Sequence, residues 1–265
     1  MRICMAGACG RMGRRILEFA VEAGDMEIAG AFDLPQNSGT ELTVGLECGR
    51  PQKVVVGADS AAEIARAQVV IDFTLASACV GNVRLAAAAG VAAVVGTTGL
   101  DAAQQAELRA LSADIPVVYA PNMSVGVNLL FKVAGEVARI LGPSYDVEIV
   151  EVHHNQKKDS PSGTAVRLAE RVAEALGLDY ETAAVHGRGG LVGARPSGQI
   201  GMHAVRGGDV VGEHTVSFIS RGERVELTHK AHSRDNFARG ALVAARFAAA
   251  AAPGLYDMQD VLGLE

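Results

Sequence analysis

Up to Tyr119, short apolar runs alternate with amphipathic stretches. Apolar runs of this length predict buried strands, and apolar residues spaced three and four apart predict helices. Strands and helices that alternate in this way form a doubly wound parallel sheet, so this half is predicted to be α/β. The predicted strands are Arg2–Ala6, Glu27–Phe32, Lys53–Val56, Val69–Phe73, Val91–Val95 and Pro116–Tyr119, with helices after Gly13, near Ala61–Arg66, around Val83, Leu85 and Ala86, and at Asp101–Leu111.

After Asn122 the pattern changes. A helix is predicted at Val127–Ile140, then a strand with one buried face at Asp146–Val152, then a helix with Ser160 as N-cap and Pro161 as its first residue. Several strand-like runs in succession indicate an α+β domain with a mixed, largely antiparallel sheet. The apolar face of the helix that begins at Pro161 consists of Ala165, Leu168, Ala169, Val172 and Leu176. The remaining predicted elements are strands at Gln199–Val205, Val210–Ile219 and Arg224–His232 and an alanine-rich helix at Phe237–Ala252.

Composition limits the class of protein. With 265 residues and 49% hydrophobic content, the chain can bury the cores of two moderate domains. It has no apolar run of the roughly 18 residues that cross a bilayer and no signal peptide, so we expect a cytoplasmic protein without a membrane partner. Its net charge of −6 argues against nucleic acid as a partner. The cysteines, which we expect to be reduced and free of metal, are Cys4, Cys9, Cys48 and Cys79.

A glycine-rich turn joins the first strand to the first helix. Gly7 permits the tight turn, Gly10 lets a pyrophosphate approach the backbone, and Gly13 lets the helix lie close to the sheet. Asp33 follows the second strand, where an acid can bind a ribose 2′-hydroxyl. The combination predicts a Rossmann-like nicotinamide cofactor site, although a GxxGxxG turn alone is weak evidence and Asp33 could simply open a turn. The candidates in the turn are Gly7, Ala8, Cys9, Gly10, Arg11, Met12 and Gly13.

The loops after three further strands are candidates for the same cofactor. In doubly wound sheets, ligands bind beyond the carboxyl ends of the strands. The hydroxyls of Thr74 and Thr97 and the backbone of Gly96 would line the nicotinamide cleft, although each loop alone could be a plain connection. The candidates are Phe73, Thr74, Gly96, Thr97, Thr98, Ala120, Pro121, Asn122 and Met123.

Acid–base and cationic groups crowd between His153 and Thr164. Histidines can exchange protons near neutral pH, and a helix start offers backbone N–H groups without intrahelical partners to an anion. The inferred ligand is a small carboxylate or phosphate. The alternative is a solvated surface with an ordinary capped helix, which for His153 alone is equally good. The elements of the predicted site are His153, His154, Lys157, Lys158 and the N–H groups of Ser162, Gly163 and Thr164.

The run Glu151–Ala165 resembles the signature of the 4-hydroxy-tetrahydrodipicolinate reductase (dihydrodipicolinate reductase) family of lysine and diaminopimelate biosynthesis. The resemblance spans the whole chain, and its supporting matches are Gly7–Gly13, Asp72–Thr74, Gly96–Gly99, Asn122–Asn128, Arg206–His214 and His229–Ala231 with Phe237 and Gly240. The chain is thus expected to form a dinucleotide-binding domain at 1–121 and 237–265 and a substrate-binding and oligomerisation domain at 122–236. The pattern suggests that the helix at Phe237–Ala252 packs back on the first domain, which would give two crossings that suit a hinge. The glycine-rich passage 187–198 is a connector or a lid, and its composition favours the connector.

The resemblance also implies a mechanism. Hydride passes from C4 of the nicotinamide to C4 of a cyclic unsaturated dicarboxylate, and the resulting enamine is protonated at C3. His153 would be the general acid, and Lys157 would bind a substrate carboxylate and stabilise developing charge. His154, Ser162, Gly163 and Thr164 would bind the carboxylates, whereas Lys158 lies outside the matched pattern as a solvated charge. The family further implies a homotetramer.

The cofactor preference rests on the residue after Asp33. Family members that use NADPH well often carry an arginine there, but here it is Leu34. An aspartate without an adjacent cation repels a 2′-phosphate and accepts a 2′-hydroxyl, so we expect NADH to serve at least as well as NADPH. Arg11 could still reach the phosphate, which leaves dual use open.

Two other functions fit part of the pattern. A two-domain dehydrogenase acting on an amino-acid semialdehyde or on aspartate would explain the cofactor half, but not the run from His153 to Thr164. A nicotinamide sensor would bind NADH tightly and never oxidise it.

Overall fold

The computed structural model describes residues 1–264, which divide into two compact units. The first unit is Met1–Val125 together with the chain from Asp235 onward, and the second is Gly126–Arg234. These boundaries differ slightly from 121/122 and 236/237, the positions suggested by the sequence. The amide of Asn236 donates to Oγ of Ser124 at 3.2 Å, and this contact helps to keep both crossing segments in the first unit.

The elements follow one another along the chain, and the longest connection is the glycine-rich passage between β9 and β10. The first are β1 (Arg2–Ala6), α1 (Arg11–Ala23), β2 (Glu27–Phe32), β3 (Glu41–Val44), β4 (Gln52–Val55), α2 (Ser60–Ala65), β5 (Val69–Asp72), α3 (Ala76–Ala89), β6 (Ala92–Val95), α4 (Ala102–Leu111) and β7 (Pro116–Tyr119). The remainder are α5 (Val125–Leu141), β8 (Asp146–His153), α6 (Gly163–Leu176), α7 (Tyr180–Ala183), β9 (Ala184–His186), β10 (Ile200–Arg206), β11 (Gly212–Ser220), β12 (Glu223–Ala231), α8 (Asp235–Ala248), β13 (Gly254–Tyr256) and α9 (Met258–Leu262).

The first unit is a six-stranded, fully parallel sheet in the order β13-β7-β6-β5-β1-β2. Successive residues of β1 enter opposite cores, because side chains alternate across a strand. Ile3 and Met5 pack in one core with α1 and α8, whereas Cys4 and Ala6 pack in the other with α3. Helices therefore cover both faces, which confirms the predicted doubly wound, Rossmann-like fold.

Two details of this sheet differ from the prediction. The strand expected at Lys53–Val56 is β4, which pairs antiparallel with β3 outside the parallel sheet. The carboxylate of Glu18 on α1 accepts the N–H groups of Gly45 and Glu47 and so holds the turn of this hairpin against the helix. In addition, α8 ends at Ala248, before the predicted end, and the chain returns as the edge strand β13.

The second unit carries a five-stranded mixed sheet in the order β12-β11-β8-β10-β9. β11 pairs antiparallel with β12 and β8, and β10 pairs parallel with β8 and β9. One face packs against α5 and α6 through side chains that include Val147, Ile149 and Phe218. Among residues 1–264, no helix has both the length and the hydropathy needed to cross a membrane.

On the other face of β8, Glu148 fastens the glycine-rich passage. Its carboxylate accepts from Arg188 at 2.9 and 3.0 Å and from Arg195 at 2.9 Å. Nε2 of His203 lies 2.6 Å from the same carboxylate. Burial raises the pKa of Glu148, but these partners outweigh it and lower the pKa to about 2. The passage between β9 and β10 is therefore tied to the sheet by two arginines.

Candidate functional site

The glycine-rich turn of the first unit has the backbone shape predicted for it. Gly7 has φ +83°, and a Cβ there would lie 2.5 Å from the carbonyl oxygen of Phe73. A Cβ on Gly13 would lie 2.2 Å from the carbonyl oxygen of Gly7, so only glycine allows α1 to approach the turn this closely. Gly10 is the N-cap of α1 and makes no side-chain cap bond. The start of α1 is therefore open to an anion, as a pyrophosphate cradle requires.

Asp33 lies at the carboxyl end of β2, beside this turn. Its Oδ2 accepts the N–H of Cys9 at 2.8 Å. Its Oδ1 accepts the N–H of Leu34 at 2.8 Å and the amide of Asn37 at 2.7 Å. These donors fix the carboxylate in one orientation, and with both lone pairs of Oδ1 used, one lone pair of Oδ2 is left for a ribose hydroxyl. The next residue, Leu34, is 48% exposed and brings no positive charge.

The loops after β5 and β6 are joined through a buried carboxylate, Asp72, to which the sequence assigned no role. Asp72 is fully buried and accepts the hydroxyls of Thr74 at 2.8 Å and Thr97 at 2.6 Å. The amide of Asn82 donates to its other oxygen at 2.8 Å. The two threonine hydroxyls therefore donate their hydrogens to Asp72. Because Oγ1 of Thr97 also accepts the N–H of Thr74 at 2.8 Å, one lone pair of Thr97 and those of Thr74 remain for a ligand. The ring of Phe73 packs over Gly96.

The five segments predicted to bind the cofactor lie along one edge of the sheet. They follow β1, β2, β5, β6 and β7, which are neighbouring parallel strands, and parallel neighbours share their carboxyl edge. In the last segment, Oδ1 of Asn122 accepts the N–H of Ser124 at 2.9 Å and Met123 is buried. Ala120 is buried as well, whereas Pro121 and Thr98 are exposed.

In the second unit, an imidazole, a carboxylate and a guanidinium meet at the end of β8. Glu151 and His153 continue the inward stripe of Val147 and Ile149, since residues two apart share a face. Oε2 of Glu151 lies 2.5 Å from Nδ1 of His153. Arg206 on β10 donates to both carboxylate oxygens, at 2.7 and 2.8 Å. Glu151 is 1% exposed, so its charge is balanced by Arg206 inside the protein.

The electrostatics of this group determine which nitrogen of His153 exchanges a proton. Burial raises the pKa of Glu151, but hydrogen bonds from Arg206, His153 and the Ser162 N–H outweigh it, and the pKa falls below its ordinary value. An ionised carboxylate only accepts, so Nδ1 of His153 carries the shared hydrogen. Burial lowers the pKa of His153, against the opposing effect of Glu151. Nε2 is therefore the nitrogen that gains and loses a proton.

The start of α6 corrects two sequence predictions. The N-cap is Ser162, whose Oγ accepts the N–H of Ala165 at 3.1 Å, whereas Ser160 and Pro161 precede the cap. The N–H of Ser162 was expected to face an anion, but it donates to Oε1 of Glu151 at 3.0 Å. That bond holds Ser162 outside the helix, and Gly163 and Thr164 become the first helical residues. The predicted anion site therefore loses the N–H of Ser162 and is narrower than the sequence suggested, with the N–H of Gly163 still in the first turn.

Lys157 is buried more deeply than its neighbour and is paired. Its Nζ lies 2.8 Å from both carboxylate oxygens of Asp159, and this ion pair lowers the pKa of Asp159. The side chain of Lys157 is 18% exposed, whereas Lys158 is exposed. The backbone N–H of His154 donates to the carbonyl of Val210 at 2.7 Å. A ligand carboxylate at Lys157 would take the place of Asp159.

A second buried imidazole, His214 on β11, lies beside His153. The two rings meet edge to face with centroids 5.1 Å apart, and Nε2 of His214 lies 3.1 Å from Oγ of Ser162. Burial lowers the pKa of His214 to about 3, so the ring is neutral. Within residues 1–264, Nδ1 of His214 has no hydrogen-bond partner, nor does the buried Nδ1 of His229, its cross-strand neighbour on β12.

The second unit thus brings together most of the acid–base residues predicted from the sequence and adds three that were not assigned roles. Glu151 could have been found from the period of two on β8, which places it on the face of His153. Arg206 and His214 lie on other strands, and only the register of β10 and β11 with β8 brings them to this place. Among the described residues, no group of His, Cys, Asp or Glu side chains could hold a metal ion.

The comparisons with known proteins agree on one family. Residues 1–123 match the family model described as dihydrodipicolinate reductase, N-terminus, and residues 126–262 match the one described as dihydrodipicolinate reductase, C-terminus. The chain is 49% identical over 271 residues to the 4-hydroxy-tetrahydrodipicolinate reductase of Syntrophotalea carbinolica, with 100% of both chains covered.

Solved structures share the fold. A dipicolinate-bound dihydrodipicolinate reductase from Paenisporosarcina sp. TG-14 has a TM-score of 0.78 at 23% identity and covers 98% of each chain. An aspartate semialdehyde dehydrogenase II from Vibrio cholerae has a TM-score of 0.54 at 10% identity, with 93% of this chain and 97% of that chain covered. At these identities the likeness concerns the fold alone.

Proposed function

The chain belongs to the dihydrodipicolinate reductase family, and we propose that the proton-transfer and carboxylate-binding groups of its reaction are His153, Lys157 and the start of α6. It is a nicotinamide-dependent oxidoreductase that reduces 4-hydroxy-tetrahydrodipicolinate to tetrahydrodipicolinate in lysine and diaminopimelate biosynthesis. One observation above all supports the assignment of His153. Its Nδ1 is held 2.5 Å from a buried carboxylate, which leaves Nε2 as the proton donor.

The residues of the first unit fit a nicotinamide dinucleotide. Gly7, Gly10 and Gly13 leave the start of α1 open for the pyrophosphate, and Asp33 is oriented for the ribose. Lone pairs of Thr74 and Thr97 remain for donors of the nicotinamide amide. When bound, the reduced cofactor supplies the hydride. The full proposed set comprises Gly7, Ala8, Cys9, Gly10, Arg11, Met12, Gly13, Asp33, Phe73, Thr74, Gly96, Thr97, Thr98, Ala120, Pro121, Asn122 and Met123.

In the second unit, the chain's own groups bind the substrate and deliver a proton. One carboxylate of the substrate takes the N–H groups of Gly163 and Thr164 and the hydroxyl of Ser162, where the helix start favours negative charge. Lys157, with His154 nearby in sequence, binds carboxylate and stabilises charge as it develops. Protonated His153 then gives the proton on Nε2 to C3 of the enamine, while Glu151 keeps the ring oriented.

Replacement of Lys157 by alanine tests the carboxylate-binding role. We expect kcat/KM to fall roughly 10-fold to 100-fold, because one charge-assisted hydrogen bond to the substrate is lost. The assay follows NADH absorbance while the preceding synthase generates the unstable substrate in place. The matched control is Lys158→Ala, the exposed neighbour, which should retain wild-type kinetics. An equal loss of kcat/KM in both variants would show that Lys157 does not bind the substrate. Separately, a wild type that binds NADH but does not oxidise it in the presence of substrate would favour a nicotinamide sensor.

Asp33 predicts the cofactor preference. No Lys or Arg occurs at positions 34–49, so NADH should be at least as good a cofactor as NADPH. Asp33→Asn keeps the shape of the side chain and removes its charge, and the ratio of NADPH to NADH efficiency should rise roughly 10-fold. Glu41→Gln, which removes an exposed charge on β3, should leave the ratio unchanged. A wild-type preference for NADPH of more than about tenfold, or about 1.4 kcal/mol, contradicts the prediction.

We also infer a cytoplasmic homotetramer. Free thiols at Cys4, Cys9, Cys48 and Cys79 suit a reducing compartment. Apolar side chains on β10 and β12, Val205 and Val225, are exposed on the single chain, as is Leu191 in the passage tied to Glu148. Such apolar exposure supports association with further copies.

A further inference from the structure

Ser162 has a nearly complete set of hydrogen-bond partners. A hydroxyl has two lone pairs and one hydrogen. In the structure, Oγ of Ser162 accepts the N–H of Ala165 at 3.1 Å and lies 3.1 Å from Nε2 of His214. Ser162 and His214 are 2% and 4% exposed, so water does not readily replace either partner. The direction of the hydroxyl hydrogen therefore depends on the tautomer of His214.

A neutral imidazole carries one N–H. If the hydrogen is on Nδ1, the hydroxyl of Ser162 must donate to Nε2, and its hydrogen points into the core. If the hydrogen is on Nε2, it donates to Oγ and fills the second lone pair, which frees the hydroxyl hydrogen. Nδ1 has no partner within residues 1–264, so a hydrogen there would be a buried donor without an acceptor. The second arrangement leaves only an unused lone pair on Nδ1, which costs less.

We propose that His214 is a positioning residue: its Nε2–H donates to Oγ of Ser162, so that the serine hydroxyl can act only as a donor to a substrate carboxylate at the start of α6. This inference rests on the proposed function of the second unit. With both lone pairs filled, Ser162 cannot accept from a ligand. The site therefore favours a ligand atom that only accepts, such as a carboxylate oxygen, over a group that must donate, such as an ammonium or an N–H.

The edge-to-face contact with His153 offers a different role, in which His214 would act on the proton donor. The two roles differ in what they change. Loss of a donor to Ser162 weakens carboxylate binding, whereas loss of a contact with His153 changes kcat and its pH dependence.

Replacement of His214 by phenylalanine and by glutamine separates the roles. Phenylalanine keeps a ring of similar size without a donor, and glutamine retains an N–H. The probe is dipicolinate, a stable aromatic dicarboxylate, titrated calorimetrically into the complete protein. For His214→Phe we expect the Kd for dipicolinate and the KM for substrate to rise roughly 10-fold to 100-fold, with kcat and NADH affinity nearly unchanged. His214→Gln should recover part of the loss.

A double-mutant cycle with Ser162→Ala tests whether His214 affects dipicolinate binding through the hydroxyl of Ser162. If His214 acts through the hydroxyl, each single variant weakens dipicolinate binding and the double variant is hardly weaker than either. Additive losses overturn the proposal, as does a fall in kcat with unchanged dipicolinate Kd. If His214→Phe fails to fold, the glutamine variant and the cycle built on it give the same decision. A wild type that neither binds dipicolinate nor oxidises NADH with substrate would refute the proposed function itself, whereas normal wild-type binding with unaffected variants refutes only the role of His214.

Discussion

Replacement of His153 by glutamine is expected to lower kcat by roughly 10²-fold to 10⁴-fold, the usual contribution of a general acid, while NADH binding stays intact. Glutamine has similar bulk and can keep a hydrogen bond to Glu151, but it cannot transfer a proton to carbon. Steady-state NADH oxidation and a separate NADH titration measure the two effects. The matched control is His203→Gln, since His203 also pairs with a carboxylate of β8 but on the opposite face of the sheet.

The pH dependence provides a second signature of the same residue. The acid must be protonated to act, and burial lowers the pKa of His153 below its ordinary value. In the wild type, kcat/KM should therefore fall as pH rises above a pKa lower than about 6.5, by about tenfold per pH unit. The His153→Gln variant should lose this dependence and keep only a low, flat rate. An unchanged profile in the variant would assign the acid to another group.

The first unit was predictable because its strands are short, apolar and separated by helices of clear period. The missed strands show the limit of that argument. β3 and β13 have four and three residues, too few to display a period of two against a background rich in alanine and valine. The placement of β4 depended on its partner, and Glu18, which helps to hold that hairpin on α1, lies far away in sequence.

In the segment Glu151–Ala165, too, some features follow from the local sequence and others depend on residues that are distant in sequence. The positions of His153 and Lys157, at a strand end and in the loop before a helix, follow from local pattern. The N-cap does not, because Ser160 and Ser162 are both good caps by sequence, and the choice between them is made by Glu151, which takes the N–H of Ser162. Asp72, Arg206 and His214 matter through contacts across strands, which a single sequence does not reveal.

Glu151 connects these parts and has no substitute on its strand. Its two oxygens accept four hydrogen bonds, from His153, from Ser162 and twice from Arg206. It thereby orients the proton donor, helps to place the start of α6 and pairs with the half-buried cation of Arg206. The carboxylate also stabilises the imidazolium form of His153, because an opposite charge within hydrogen-bond distance favours the charged state.

Replacement of Glu151 by glutamine is therefore expected to move the pH profile rather than abolish it. Without the negative charge, the pKa of His153 should fall further, so that kcat/KM at pH 8 drops roughly 10-fold to 1000-fold and recovers in part at lower pH. Glu148→Gln is the control, since Glu148 also binds two arginines and a histidine but faces away from His153. Thermal unfolding of both variants measures the structural cost, which they should share. If the profile of Glu151→Gln keeps the wild-type pKa, or if Glu148→Gln shifts it equally, the carboxylate is only a structural partner of Arg206 and the acid–base role of the pair is wrong.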